Sequence, residues 1–127
     1  MELEEYFENT TGHGVLATSD SEGIVNAAVY ARPHFFDKET VAFIMGDRLT
    51  HKNIQENPHA AYLFIQSGQG YSGKRLYLTK TKEVQDEDLI ADIRRRCDYS
   101  FYGKDITRFV VFFHIDKVLP LIGDGSK

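Results

Sequence analysis

The sequence has a single cysteine, Cys97, and this scarcity excludes several architectures. One cysteine cannot form an intramolecular disulfide, and it excludes a zinc site built on several cysteines. No apolar run approaches the roughly 20 residues that cross a bilayer as a helix. The first five residues, MELEE, are acidic where a signal peptide is basic. Together these absences predict a protein of the reducing cytoplasm with no membrane partner.

Basic residues are also in the minority. The chain has 15 Lys and Arg against 19 Asp and Glu, which gives a formal net charge of −4. A surface that binds nucleic acid needs an excess of cations to neutralise phosphates. Nucleic acid is therefore not an expected partner, whereas a local basic pocket for one small phosphate is compatible with this balance.

The sequence is rich in aromatic residues and in short strand-forming segments. Its 127 residues fit one domain, 1–127, and 13% of them are aromatic, with nine Phe and seven Tyr. Apolar alternation predicts strands over 13–18, 24–32, 40–45, 60–66, 74–84 and 108–115, with a further strand over 117–122. Helices are expected over 2–10, over 49–57 and after an Asp86 N-cap. The pattern predicts a mainly β fold, an antiparallel barrel, closed or nearly closed, with helices at its ends.

A candidate anion site lies in the segment 41–58, VAFIMGDRLTHKNIQENP. A strand ends at Gly46, and Arg48, Thr50 and Lys52 follow at the start of the predicted helix. Outward-pointing helix amides, a hydroxyl donor and two cations are groups that bind an anion. The alternative is that Thr50 is only an N-cap and both cations face solvent. Spacing alone does not choose between the two.

A run of small residues, Asn26, Ala27 and Ala28, interrupts the second predicted strand. Small side chains let a flat ligand approach a strand, whose amides or carbonyls can bind the polar edge of that ligand. The alternative is close packing against a neighbouring helix.

The histidines, the arginine run at 94–96 and the cysteine are each expected to have a structural role. The five histidines lack the spacing of metal ligands, so no metal site is predicted. They are His13, His34, His51, His59 and His114. The run 94–96 of three arginines complements the dipole at the end of the last helix. Cys97 is expected to be a buried apolar residue, with a redox-active thiol as the alternative.

Three stretches occur together in a fixed order: GVLATSDSEGIVNAA at 14–28, FIMG at 43–46, and NIQENP at 53–58 followed by AAYLF at 60–64. Over roughly residues 3–84 they resemble the FMN-binding split-barrel proteins related to pyridoxamine 5′-phosphate oxidase. The last third is similar to one subgroup of that family, through GYSGKRL at 70–76, the helix with Cys97 and RFVVFFHIDKV at 108–118.

The resemblance implies a six-stranded antiparallel split barrel that forms a homodimer, with two FMN sites at the dimer interface. By this resemblance Asn26, Ala27 and Ala28 lie beside the isoalloxazine ring. Met45 and Gly46 border the ring and the ribityl chain.

The same resemblance assigns the phosphate to Arg48, Thr50 and Lys52, while Asn53 anchors the helix or reaches the ribityl chain. Tyr71 and Arg75 contribute from the other subunit. The basic residues with which true pyridoxamine 5′-phosphate oxidases grip their substrate near the C-terminus are not recognisable here, so that activity is not expected.

The function implied by the resemblance is an FMN-dependent oxidoreductase that transfers hydride or electrons. Its reaction partner would be a nicotinamide, a small oxidant or another redox protein, and the protein would supply position and electrostatics. Three alternatives are a non-catalytic FMN carrier or electron-transfer protein, haem or F420 in the same cleft, and a structural barrel with an empty cleft.

A homodimer is also expected from the aromatic content. The predicted strands carry more apolar aromatic surface than the interior of one small barrel readily holds. The residues concerned are Tyr62, Phe64, Phe109, Phe112 and Phe113. The predicted interface exceeds about 1,000 Å².

Overall fold

The computed structural model describes residues 2–96 and 107–123. In these two ranges the chain forms three helices and seven strands. In chain order they are α1 (Leu3–Asn9), β1 (Gly12–Ser19), β2 (Val25–Tyr30), β3 (His34–Phe35), β4 (Thr40–Gly46), α2 (Leu49–Glu56), β5 (His59–Gln66), β6 (Gly73–Val84), α3 (Glu87–Arg96) and β7 (Arg108–Pro120). None of the described helices is long and apolar enough to cross a membrane.

The seven strands form one antiparallel sheet in the order β2-β1-β5-β6-β7-β4-β3, curled into a half-barrel. The expected mainly β, antiparallel fold is confirmed, but the implied count of six strands is wrong for this chain. The additional strand is β3, which pairs His34 with Ala42 and Phe35 with Val41. Two residues directly after Pro33 are too few to show the alternation from which a strand is predicted.

The last strand, β7, is continuous, although two separate strands over 108–115 and 117–122 were expected. Tyr77 of β6 pairs with Lys117 and Leu78 pairs with Ile115, so Asp116 is an extra residue in β7. The sheet accommodates this polar residue as a β-bulge, which bends the strand without ending it.

Both faces of β7 are buried, and this decides where the aromatic side chains go. Val111 and Phe113 point into the half-barrel, whereas Val110 and Phe112 pack on its outside against Ile90 and Ile93 of α3. The five aromatic residues from which a dimer was expected are therefore core residues: Tyr62, Phe64 and Phe113 are 0% exposed, Phe112 is 7% exposed, and Phe109 is half-buried. The expectation that these residues exceed what one chain can bury was wrong, because α3 covers Phe112 on the outer face of β7.

A close contact fixes the first strand against the core. A Cβ added at Gly14 would lie 1.9 Å from the Tyr62 hydroxyl, so only glycine fits there. The hydroxyl contacts the carbonyl oxygens of Tyr30 (3.3 Å) and Ala31 (3.0 Å), which holds the end of β2 beside β1 and β5.

The third helix begins as expected. The Asp86 carboxylate accepts hydrogen bonds from the backbone N–H groups of Asp88 and Leu89, both at 3.1 Å. Leu89, Ile90 and Ile93 form its apolar stripe. The predictions for the side chains at 94–96 and for Cys97 lie outside the part of the chain that the structure describes.

Candidate functional site

The segment predicted to bind an anion lies at one end of the half-barrel, where β4 leads into α2. The N-cap of α2 is Arg48, in an extended conformation, and among the described residues no side chain caps the helix. Thr50 is the second residue of the helix, so the alternative in which Thr50 is only an N-cap is wrong. The first backbone amides of α2 therefore keep their donor capacity for another partner.

Thr50 is a buried polar residue at this helix start, with 5% of its surface exposed. Its hydroxyl oxygen accepts a hydrogen bond of 3.4 Å from the side-chain amide of Asn26 on β2. A hydroxyl that accepts one bond still has its own hydrogen to donate. The contact therefore orients Thr50 and leaves it able to donate to a ligand oxygen.

A second polar link lies one helical turn further on. Asn53 is 3% exposed, and its side-chain amide donates to the Thr18 hydroxyl at 3.1 Å. Thr18 on β1 is the direct cross-strand partner of Asn26 on β2. The two links join one face of α2 to the β1–β2 hairpin, so Asn53 anchors the helix.

The two cations of the predicted site are exposed. Arg48 stands at the N-cap and Lys52 in the next turn, where the backbone N–H of Lys52 donates to the Arg48 carbonyl at 3.0 Å. Their charges add to the positive end of the helix dipole. Two exposed cations, a buried hydroxyl and uncovered helix amides therefore occur together over residues 48–52, and these are groups that bind a phosphate dianion.

The small residues of β2 are divided between the two faces of the sheet. Asn26 and Ala28 are half-buried on the inner face, whereas Ala27 is exposed on the outer face. In the described sheet β2 is an edge strand whose one strand neighbour is β1. A flat ligand at this edge would approach the main chain of β2 rather than a row of three side chains.

Met45 and Gly46, at the end of β4, are both buried. The Met45 side chain is 0% exposed inside the half-barrel. The Gly46 carbonyl accepts a hydrogen bond of 2.9 Å from the Arg48 backbone N–H. A ligand at the start of α2 would therefore meet the main chain of these two residues.

Tyr71 and Arg75 are not brought to α2 within one chain. Tyr71 is 78% exposed in the loop after β5. Arg75 and Glu83 stand near opposite ends of β6, roughly 25 Å apart along an extended strand. The Arg75 guanidinium donates to the carbonyls of Pro120, at 2.9 Å, and Gly123. The contacts of Arg75 within one chain are therefore with the end of β7 and not with α2.

A polar cluster that was not predicted from the sequence lies on another flank of α2, around the Glu83 carboxylate of β6. The carboxylate accepts bonds from Lys80 (2.7 Å), Gln55 (2.6 Å) and the His51 ring (3.0 Å). Burial acts to raise the pKa of Glu83, but the hydrogen bonds from Lys80, Gln55 and His51 outweigh it and lower that pKa to about 2.

The only sequence signal for this cluster was the i, i+4 spacing of His51 and Gln55 on one flank of the predicted helix. The His51 ring also stacks on Phe109 of β7, with centroids 3.9 Å apart and planes 7° from parallel.

Two further features bear on alternative sites. Within residues 2–96 and 107–123, no group of three or more His, Cys, Asp or Glu side chains could hold a metal ion. A cleft of about 230 Å³ lies elsewhere, between α1 and residues 32–35, and its lining includes Phe7, Arg32 and Phe35 but no predicted site residue.

No protein-family model matches the sequence, and no curated protein matches it. Solved structures do match over almost the whole chain. An FMN-binding protein from Syntrophomonas wolfei subsp. wolfei is 19% identical with a TM-score of 0.78, over 96% of this chain and 85% of that one.

Two other matches bear different descriptions. A proposed pyridoxamine 5′-phosphate oxidase from Lactobacillus delbrueckii is 17% identical with a TM-score of 0.62, over 91% of this chain and 88% of that one. HutZ, the haem storage protein from Vibrio cholerae, is 16% identical with a TM-score of 0.66, over 93% of this chain and 91% of that one. At these identities the likeness establishes the fold. The split-barrel fold that the sequence resemblance implied is confirmed.

Proposed function

We propose that this chain binds FMN, with the phosphate at the start of α2 and the ring along β2, and that it acts as an oxidoreductase. The observation that carries the proposal is the buried Thr50 hydroxyl, which Asn26 orients at a helix start that no described side chain caps. Arg48 and Lys52 supply the charge that a phosphate dianion requires. The FMN-binding protein of the same fold supports the choice of cofactor.

In this proposal the flavin, when bound, supplies hydride or electron transfer. The residues of the chain bind and orient it. The uncovered amides of α2 and the Thr50 hydroxyl fix the phosphate, and the main chain of β2 and Gly46 lies beside the remainder. The reaction partner would be a nicotinamide or another small redox molecule.

We further propose that the chain forms a homodimer through the outer face of the sheet. Residues directly opposite each other in antiparallel strands share a face, so the pairing of β2, β1 and β5 gathers an apolar outer surface. Its apolar members are Val15, Ala17, Val25, Ala27, Val29, Ala61, Leu63 and Ile65, and the polar residues His13 and Ser19 lie on the same face. Val25 and Val29 are 78% and 69% exposed.

The location of this surface supports the cofactor proposal. The same strand, β2, carries Asn26 on its inner face and Ala27 on its outer face, so the site and the apolar surface adjoin. A second copy docked on that surface would approach the edge of the site, and it is the source from which Tyr71 and Arg75 would come.

The direct test is the absorption spectrum of the protein purified from its native cells. Oxidised flavin bands, with release of FMN on denaturation, are the expected result. Haem or F420 bands, or a colourless protein that fails to bind added FMN, would overturn the proposal. Oxidation of NADH or NADPH by the FMN-loaded protein is then expected, whereas tight FMN without any turnover would identify a carrier.

A further inference from the structure

The polar cluster around Glu83 occupies a place where the fold alone would favour apolar residues. The Glu83 side chain is 22% exposed and the His51 side chain 9% exposed, both between α2 and the half-barrel. The carboxylate is held by three donors from two elements, His51 and Gln55 on α2 and Lys80 on β6. Desolvating a carboxylate costs free energy that its partners must offset.

A β-bulge turns Glu83 inward. Lys80 pairs with Phe113 and Lys82 with Phe112, so Thr81 is an extra residue in β6. Without that extra residue the two-residue period would point Lys82 into the half-barrel and Glu83 away from it. Because of the bulge, Lys80 and Glu83 share the inner face and form their ion pair at spacing i, i+3. Bulges commonly redirect a side chain beside a functional site.

Two different sides of α2 are therefore held by different parts of the sheet. Thr50 is bonded to Asn26 on β2, and the adjacent His51 is bonded to Glu83 on β6. Both contacts fall in the first turn of the helix, which is the turn that presents the uncovered amides. A shift of this turn about its axis would break one contact or the other.

We propose that Glu83 is a positioning residue for the phosphate site, which through His51 and Gln55 fixes the first turn of α2 with Thr50 beside Asn26. This inference rests on the proposed binding of a phosphate at α2. Glu83 does not touch the ligand in this arrangement. Its effect is on the positions of the first backbone amides of α2 and of the Thr50 hydroxyl.

Positioning and simple electrostatics give opposite expectations for Glu83. A carboxylate near an anion site repels the anion, so its removal strengthens binding if charge is all that matters. If the carboxylate holds the helix turn, its removal weakens binding, because the donors lose their alignment. The sign of the change therefore decides between the two.

The experiment measures FMN and riboflavin affinities by flavin fluorescence quenching in the full chain. The variants are Glu83→Ala, which removes the acceptor, and Glu83→Gln, which keeps an acceptor oxygen but loses the charge. Glu56→Gln is the matched control, because Glu56 binds Ser21 at the opposite end of α2, at 2.9 Å to the hydroxyl. Thr50→Val tests the phosphate site itself.

FMN is expected to bind about tenfold more weakly to Glu83→Ala and by a smaller factor to Glu83→Gln. Riboflavin binding should change by less than about threefold, and Glu56→Gln should bind both ligands as the parent does. Unchanged or tighter FMN binding by a folded Glu83 variant would overturn the inference. If Glu83→Ala does not fold, the sign of the change in Glu83→Gln decides.

The control variants separate the two proposals. If Thr50→Val keeps the preference of the parent for FMN over riboflavin, the phosphate site itself is wrong. If Thr50→Val loses that preference while both Glu83 variants keep it, only the positioning role of Glu83 is wrong. If Glu56→Gln lost as much FMN affinity as the Glu83 variants, that role would also be overturned. Such a result would show that any loosening of the helix weakens FMN binding.

Discussion

Asn26 and Thr50 are 24 residues apart in sequence and are joined by a side-chain hydrogen bond of 3.4 Å. A parallel bond of 3.1 Å joins Asn53 to Thr18, and Thr18 is the cross-strand partner of Asn26. Buried polar groups at the end of an apolar half-barrel are stabilising only when they are paired. The two bonds therefore fix the register between α2 and the β1–β2 hairpin before any ligand arrives.

Replacement of Thr50 by valine should weaken FMN binding about 10–100-fold, since a charge-assisted hydrogen bond contributes about 1.5–3 kcal/mol. Without ligand, the variant should lose about 1 kcal/mol of unfolding free energy, because the amide of Asn26 loses its acceptor. Fluorescence titration with FMN and riboflavin and urea unfolding measure the two effects. Thr50→Ser keeps the hydroxyl and should retain FMN binding. A Thr50→Val protein with parental FMN affinity would contradict the assignment.

The exposed cations Arg48 and Lys52 should contribute to FMN binding and little to folding. Arg48→Ala and Lys52→Ala are each expected to weaken FMN about 10–100-fold, with riboflavin nearly unchanged, because riboflavin has no phosphate. Titrations at low and high salt should show a smaller difference in FMN affinity between variant and parent at high salt, because salt screens the charges of Arg48 and Lys52 in the parent. Lys38→Ala, at another exposed lysine, is the control. If both cation variants bound FMN as the parent does, the phosphate would lie elsewhere.

Much of the fold follows from local sequence. Gly46 and Pro58 bracket α2, the Asp86 carboxylate starts α3, and strand alternation places Leu76 and Leu78 in the core. Each of these features depends on neighbours in sequence, so periodicity and capping rules are sufficient to predict it.

The parts that sequence reasoning missed depend on partners distant in the chain. The inward position of Glu83 requires a one-residue shift against β7, which the two-residue period of β6 cannot show. Burial of Phe112 requires α3 to cover the outer face of the sheet. The polar role of Thr50 was predicted from its place beside two cations, but its partner Asn26 is on a strand that only the folded sheet brings near.

Gly14 should not tolerate a side chain. A Cβ there would lie 1.9 Å from the Tyr62 hydroxyl oxygen and 2.7 Å from the carbonyl oxygen of Tyr30, two groups held in the core. Gly14→Ala is expected to lower the unfolding free energy by about 1–3 kcal/mol through overpacking. Urea unfolding followed by circular dichroism measures this, with Ser19→Ala on the same strand as the control. Parental stability of Gly14→Ala would contradict the tight packing of β1 against β5.

The stability of the protein should depend on pH through His114. The hydrogen bond with the Asp116 carboxylate, at 2.9 Å, and the nearby Glu39 raise the pKa of His114 above its ordinary value of 6.5. A raised pKa in the folded state means that the contribution is fully present below pH 6.5 and is lost as pH rises through the folded value.

The measurement is urea unfolding between about pH 6 and about pH 8, where the histidine titrates. The unfolding free energy of the parent should fall more steeply over this range than that of His114→Gln. His13→Gln, at another exposed histidine, is the control. Parallel pH profiles for the parent and His114→Gln would show that His114 does not contribute.

The proposed dimer should be broken by one charge on the outer face of the sheet. Val29 is 69% exposed on β2, beside Val15 and, one strand further, Leu63. Burying a glutamate within an apolar interface leaves an unpaired charge, which is costly. Val29→Glu should therefore sediment as a monomer at a concentration where the parent is a dimer, while its circular dichroism spectrum stays unchanged.

An exposed apolar residue outside the proposed interface provides the matched control. Phe36 is 44% exposed and packs on Phe112, on the α3 side of the sheet, so Phe36→Glu should leave the parent dimer intact. Because the cofactor site adjoins β2, Val29→Glu should also bind FMN more weakly if the second copy completes the site. A parent protein that is monomeric at micromolar concentration would overturn both the dimer and the contribution of Tyr71 and Arg75 from a partner.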